Sequence, residues 1–199
     1  RLMGKKAPTA SLLCHFDGTD ASTTIIDEYG KTCTAQGDAQ IDTAQSVFSG
    51  ASLLLDGTGD FVTVTDFADA SPGSSDWLIE CWIKPDINNA IKNIASKRTS
   101  TTSNGGWIFY VEAAGKLVIV GWNSGASVII AKTGVTTVTT TGWHHVGALK
   151  IGTLWGVLLD GVVDVTGTET GTCGTAGTEV FRIGRDAGSA ARDFDGHID

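Results

Sequence analysis

His144 and His145, the acidic turn from Asp56 to Asp60 and four dispersed cysteines are the side chains of this 199-residue chain that could do chemistry. The histidine pair invites a metal or acid–base reading, because imidazole is a common ligand and proton carrier near neutral pH. It stands in Gly142-Trp143-His144-His145-Val146, a stretch with the aromatic and β-branched composition of a strand. Neighbours in a strand project to opposite faces, so the two rings do not readily ligate one ion. One packed, hydrogen-bonded histidine and one near solvent are expected, and His15 and His197 are read the same way.

Glycoside hydrolysis needs two carboxylates about 5–10 Å apart across a cleft. Glu80, flanked by Ile79 and Cys81, is the only acid inside a strong strand pattern, and Glu112 stands alone at a strand end. No Gly-x-Ser-x-Gly nucleophile turn occurs. The expectation is a chain without catalytic residues. Calcium is the more serious candidate ligand. Asp56-Gly57-Thr58-Gly59-Asp60 offers two carboxylates and free carbonyls in a tight loop, as a hard cation requires. Asp is also a turn former by itself, so Asp56 and Asp60 have two readings.

Cys14, Cys33, Cys81 and Cys173 lie far apart, without CxxC or other metal-ligand spacing. Cys14 and Cys81 fall within expected strands and read as core packing. Cys33 could join Cys173 between two loops in an oxidising compartment, but four cysteines allow three pairings and the sequence does not choose. Six tryptophans, Trp77, Trp82, Trp107, Trp122, Trp143 and Trp155, would suit a glycan-binding surface, where rings offer flat apolar area. Nearly all fall within strands, so most belong to the core and one or two reach the surface. No individual glycan-binding residue is assigned.

The elements that must position these groups are strands. Twenty-six glycines at turn-like intervals and a near absence of helical periodicity indicate many short strands joined by tight turns. The clearest unit is a β-meander: Trp143 to Lys150, Leu154 to Leu159 and Val162 to Val165, turning at Gly152-Thr153 and at the hairpin signal Asp160-Gly161. Further strands are expected at Ser11 to Asp17, as two strands within Ala51 to Thr65, and at Trp77 to Pro85, where Ile79, Cys81 and Ile83 share a face. Others follow at Asn93 to Lys97, Gly106 to Glu112, Lys116 to Trp122, Val128 to Ala131, Val180 to Gly184 and Phe194 to Asp199. Thr133 to Thr141 reads as an exposed strand or extended approach, and Thr166 to Thr178 as a long loop. A single all-β domain over residues 1–199, with its core at about 11–199, accounts for the length.

A net charge of −8 with no basic stripe excludes a nucleic-acid partner. No apolar run approaches the roughly 20 residues of a membrane span, and Arg1 to Thr9 lacks the apolar middle of a secretion signal. No membrane insertion is expected.

Five of these blocks together resemble laminin-G-like domains, the concanavalin A-like lectin/glucanase jelly roll. They are SLLCHFDGTD from Ser11, SLLLDGTGDFVTV from Ser52, WLIECWIKP from Trp77, GWHHV with LLDGV around the meander, and VFRIG with FDGHID at the end. The resemblance runs from Leu12 to Asp199 and implies a two-sheet antiparallel sandwich. Glucanases of that fold carry an alternating E-x-D-x-E strand, which this chain lacks. Calcium-holding loops are frequent in such folds, which favours the cation reading of Asp56 and Asp60. The family's last strand usually continues beyond the final Asp and pairs beside the first strand, so this domain is expected to be part of a longer chain.

The Thr/Gly/Ala-rich style of SVFSGASLLLDGTGDFVTV and TTVTTTGWHHV is similar to domains of bacteriophage tail and other structural proteins. The expected function is a non-catalytic recognition module of a virion or extracellular surface protein, binding a cell-surface glycan. The expected partners are that glycan and neighbouring subunits, with the domain as a homo-oligomer in an assembly. The alternatives are a structural or decoration domain making subunit contacts and, remotely, a glycoside hydrolase.

Overall fold

The computed structural model describes residues 10–99 and 105–199. In chain order its strands are β1 (Cys33–Gln36), β2 (Gln40–Asp42), β3 (Ser52–Asp56), β4 (Phe61–Val64), β5 (Trp77–Pro85), β6 (Lys92–Arg98) and β7 (Gly106–Val111). They continue as β8 (Lys116–Trp122), β9 (Val128–Thr137), β10 (His144–Ile151), β11 (Leu154–Leu159), β12 (Val162–Thr168), β13 (Phe181–Ile183) and β14 (Asp195–Ile198). Two seven-stranded sheets result, ordered β1-β4-β13-β6-β7-β8-β9 and β12-β11-β10-β5-β14-β3-β2. All recorded strand pairs are antiparallel. This is the expected concanavalin A-like jelly-roll sandwich.

Period-2 alternation decides which side chains meet between the sheets. In β3 Leu53 and Leu55 are fully buried while Leu54 is not, and in β4 Val62 and Val64 are buried while Phe61 and Thr63 are half-exposed. Trp107, Phe109, Leu117 and Ile119 meet Ile83, Val146, Trp155 and Val157 in the shared core. Trp107 also satisfies its one polar atom there: its Nε1–H donates to the carbonyl of Ala70 at 2.7 Å.

The meander β10–β12 stands where the sequence put it. Val146 pairs with Leu159, and Asp160 (φ 51°) and Gly161 (φ 78°) make the positive-φ turn into β12. β12 runs three residues further than expected, to Thr168, and β9 joins the two expected stretches at 128–131 and 133–141 into one strand ending at Thr137.

Ser11 to Asp17 corrects the expected opening strand. Its ladder pairing is a single bridge, Cys14 to Asp27, because the Asp27 side chain takes the Leu13 N–H at 2.8 Å in place of a backbone carbonyl. Two short strands, β1 and β2, were not foreseen; each is too brief for alternation to be visible.

β14 lies between β3 and β5. It covers only the C-terminal half of β5, pairing Gly196, His197 and Ile198 with Pro85, Lys84 and Ile83. Strand contact is close at Gly196 (φ 131°), where a Cβ would lie 2.2 Å from the Lys84 carbonyl oxygen.

Candidate functional site

Alternation along β5 sends Trp77, Ile79, Cys81 and Ile83 to the core and leaves Leu78, Glu80, Trp82 and Lys84 on the outer face of the second sheet. β10 places His145 directly beside Trp82 and Gly147 beside Glu80. The His145 and Trp82 ring centroids are 5.3 Å apart, and His145 Nε2 is 3.4 Å from Glu80 Oε2.

A loop brings a third ring. Asp199, at the end of β14, accepts the N–H groups of Val47 and Phe48 at 2.7 and 2.9 Å, and Phe48 meets Trp82 edge-on at 6.1 Å and 81°. The same loop sets Gln45, whose Oε1 accepts from Lys84 Nζ at 2.8 Å. Farther along the face, His197 contacts the Trp143 ring at 6.3 Å and hydrogen-bonds Asp42 at 2.8 Å. Burial pushes the Asp42 carboxyl up, but the Ala44 amide and His197 more than offset it and hold it below its ordinary range.

Three rings, a carboxylate, an amide and an ammonium therefore share one partly exposed surface. It opens into a cleft of about 1280 Å³ between β5 and residues 10–16. The cleft floor is apolar, with Ile79, Cys81, Ile94 and Phe181, and burial pushes the Cys81 thiol up to about 12, with the Glu80 charge adding to the shift. Such a surface can stack a ring-shaped ligand on Trp82 and direct its hydroxyls to Glu80, His145 and Gln45. Its carboxylates are already engaged: Glu80 with His145, Asp199 with two amides and Asp42 with His197.

The two histidines separate as expected. His144 points away from His145 and is held between Asp160 Oδ2 (2.8 Å from Nδ1) and Thr139 Oγ1 (2.8 Å from Nε2). The Thr139 amide also donates to Nε2 at 3.3 Å, so Nδ1 carries the proton toward Asp160. This chain of bonds ties the β10–β11 turn to the end of β9. His197 is the packed histidine of β14, and His15 is exposed.

Asp56 and Asp60 stand at the two ends of their turn, and each accepts backbone amides. Asp60 is buried, and its two oxygens accept the amides of Asp38 (2.6 Å) and Asp56 (3.1 Å). Asp56 accepts from Thr58 N–H at 2.7 Å. Asp193 closes the loop from the other side, accepting Gly59 N–H at 2.9 Å while paired with Arg185. Among the described residues, no group of three or more His, Cys, Asp or Glu is arranged to hold a metal.

More tryptophans keep exposed surface than the one or two expected: Trp77, Trp82, Trp122 and Trp143 are only partly buried. Trp107 and Trp155 are fully buried, and Trp77 packs on Trp107 at 4.9 Å. Trp122 is covered by the Arg98 guanidinium at 4.8 Å. Sequence reasoning did not single out Trp82, Phe48 or Asp199. The available signal was the outward phase of Trp82 in β5, opposite Ile79, Cys81 and Ile83.

Of the cysteine pairings the sequence left open, the structure does not bring Cys33 to Cys173. Cys33 Sγ lies 3.9 Å from Cys14 Sγ, while Cys173 is buried elsewhere and its thiol donates to the Gly106 carbonyl at 3.2 Å. Cys33 leads into β1 beside the segment that Asp27 anchors, which is why its neighbour is Cys14.

The family model described as the Concanavalin A-like lectin/glucanases superfamily matches residues 56–199. Among solved structures the chain is similar to the binding domain of Paraclostridial Mosquitocidal Protein 1, with a TM-score of 0.69 and 14% identity over 89% of this chain and 46% of that one. It is also similar to Domain 4 of AbnA, a GH43 extracellular arabinanase from Geobacillus stearothermophilus, solved with arabinotriose (TM-score 0.67, 17% identity, 94% and 90% covered). A third likeness is to CBM40 of Ruminococcus gnavus IT-sialidase bound to alpha2,3 sialyllactose (TM-score 0.52, 17% identity, 61% and 71% covered). These likenesses are of fold. The chain spans less than half the length of the mosquitocidal protein's binding domain. No curated protein matches it.

Proposed function

The chain belongs to the Concanavalin A-like lectin/glucanases superfamily, and from that premise we propose that it is a non-catalytic recognition module holding a glycan on the outer face of its second sheet. The observation that carries this is Trp82, flanked by the Phe48 edge and the His145 ring with Glu80 alongside. A sugar presents an apolar ring face bordered by hydroxyls, and this surface offers an indole bordered by hydrogen-bonding groups. The sialyllactose and arabinotriose complexes of structurally similar domains support the same reading.

In this reading the module works on a virion or extracellular surface, as one of several copies in an assembly. A purely structural role in subunit contact is supported by one separate observation: Val135, Val162 and Val163 are exposed beside the edge strand β12.

A glycan array probed with the purified domain, with and without EDTA, tests the proposal. Binding to a defined set of glycans supports it, and EDTA sensitivity would support calcium in the Asp56–Asp60 turn as well. Signal on no glycan would leave the subunit-contact reading in its place.

A further inference from the structure

Of the four cysteines, two are insulated and two face each other. Burial pushes the Cys81 thiol up to about 12 and Cys173 up to about 11, and Cys173 is hydrogen-bonded as well. Cys14 and Cys33 are only half-buried, and their sulfurs are 3.9 Å apart.

Backbone contacts on both sides fix this approach. Glu28 N–H donates to the Leu13 carbonyl at 2.9 Å, and Asp27 accepts the amides of Leu13 and Lys31 at 2.8 and 2.9 Å. Cys14 therefore sits beside Asp27, two residues on from Lys31 comes Cys33, and Cys33 is locked into β1 opposite Val64. The Lys31 ammonium lies 3.7 Å from Asp27 and also reaches the Ser11 carbonyl, which ties the turn before β1 to the segment that carries Cys14.

We propose that Cys14 and Cys33 are a redox pair that closes to an intramolecular disulfide and fastens residues 10–16 to the edge of the first sheet. That segment belongs to no strand; it is held by the bridge at Cys14, by the Asp27, Asp69 and Lys31 side chains and by the buried Phe16 ring, and a disulfide at Cys14 would add a covalent tie to these.

The chemistry balances with a small disulfide such as oxidised glutathione as oxidant. The Cys33 thiolate attacks one glutathione sulfur, the S–S bond breaks, and one glutathione thiolate leaves. Cys14 then loses its proton and attacks Cys33 Sγ, expelling the second glutathione. Two protein thiols and one oxidised glutathione become one protein disulfide and two reduced glutathiones. The hydrogen bond from Cys14 lowers the Cys33 thiol and raises that of Cys14, which suits Cys33 as the first nucleophile. Capping Cys33 removes the thiolate that holds the Cys14 proton, freeing Cys14 for the second step.

The test treats the whole chain with oxidised glutathione, blocks remaining thiols with an alkylating agent under denaturing conditions, and maps the peptides. The expected product has lost two hydrogens, keeps two alkylated cysteines, Cys81 and Cys173, and carries a Cys14–Cys33 linked peptide. Closing this 19-residue separation raises Tm by roughly 5–10 °C over the reduced chain. Cys33→Ser does not close and takes glutathione, if at all, only as a stable mixed disulfide on Cys14. Four alkylated cysteines after oxidation, a linkage through Cys173 or Cys81, or an unchanged Tm would overturn the proposal.

Discussion

The imidazole of His145 and the indole of Trp82 lie side by side on adjacent strands, with centroids 5.3 Å apart and planes at 46°. Neither residue is near the other in sequence, and the pairing of β10 with β5 alone brings them together. Replacing Trp82 with Ala removes the flat apolar area and weakens glycan binding about tenfold or more, while His145→Ala costs about threefold. Isothermal titration with an array-positive oligosaccharide measures both. Equal affinity for wild type and Trp82→Ala would move the site elsewhere.

The seam between β14 and β5 carries the second prediction. Gly196→Ala puts a Cβ against the Lys84 carbonyl at a positive φ, and both effects oppose folding. Chemical denaturation should show a loss of about 2–4 kcal/mol. Glycan affinity should fall too, because Asp199 positions Phe48 from the end of this strand. A variant as stable as wild type would contradict the close packing described.

Acid sensitivity has a definite sign at Asp27. Burial pushes its carboxyl up, but the amides of Leu13, Lys31 and Tyr29 with the Lys31 charge pull it further down, so its folded value is depressed. A depressed carboxylate contributes stability that is full above its ordinary value near pH 4 and is lost as pH falls through the folded value. Asp27→Asn, which can accept through one oxygen only, should cost about 1–3 kcal/mol at pH 7. The gap from wild type should narrow by pH 3 in urea titrations. A constant gap would show that the charge of Asp27 plays no part.

Much of the scaffold was legible because alternation and turn chemistry agree. β8 matches its expected span from Lys116 to Trp122, and Asp160-Gly161 declared the turn into β12. Ser11 to Asp17 misled because its apolar residues imitate a strand, while its partner is the Asp27 side chain, which no periodicity reveals. The site was illegible for a related reason. Phe48, Trp82, His145 and Asp199 come from a loop, two strands and the residue after β14, and only the sheet order joins them.

Asp60 illustrates the same limit on a candidate that was found. Its residue type and turn were plain, but its partners, the amides of Asp38 and Asp56, were not. Asp60→Asn should therefore cost about 1–3 kcal/mol by stranding a buried amide. Thermal unfolding of the wild type should be the same in EDTA and in calcium. A Tm several degrees higher in calcium would assign the loop to a cation after all.

The central claim is that this surface binds a sugar and leaves it whole. The most direct measurement is an NMR titration of the domain with its best array glycan, following the Trp82 indole N–H and the sugar resonances together over a long incubation. The account predicts saturable shifts centred on Trp82, His145 and Phe48 and an unchanged sugar spectrum. Shifts confined to Trp122 or the β12 edge, or the appearance of a cleaved sugar, would contradict it.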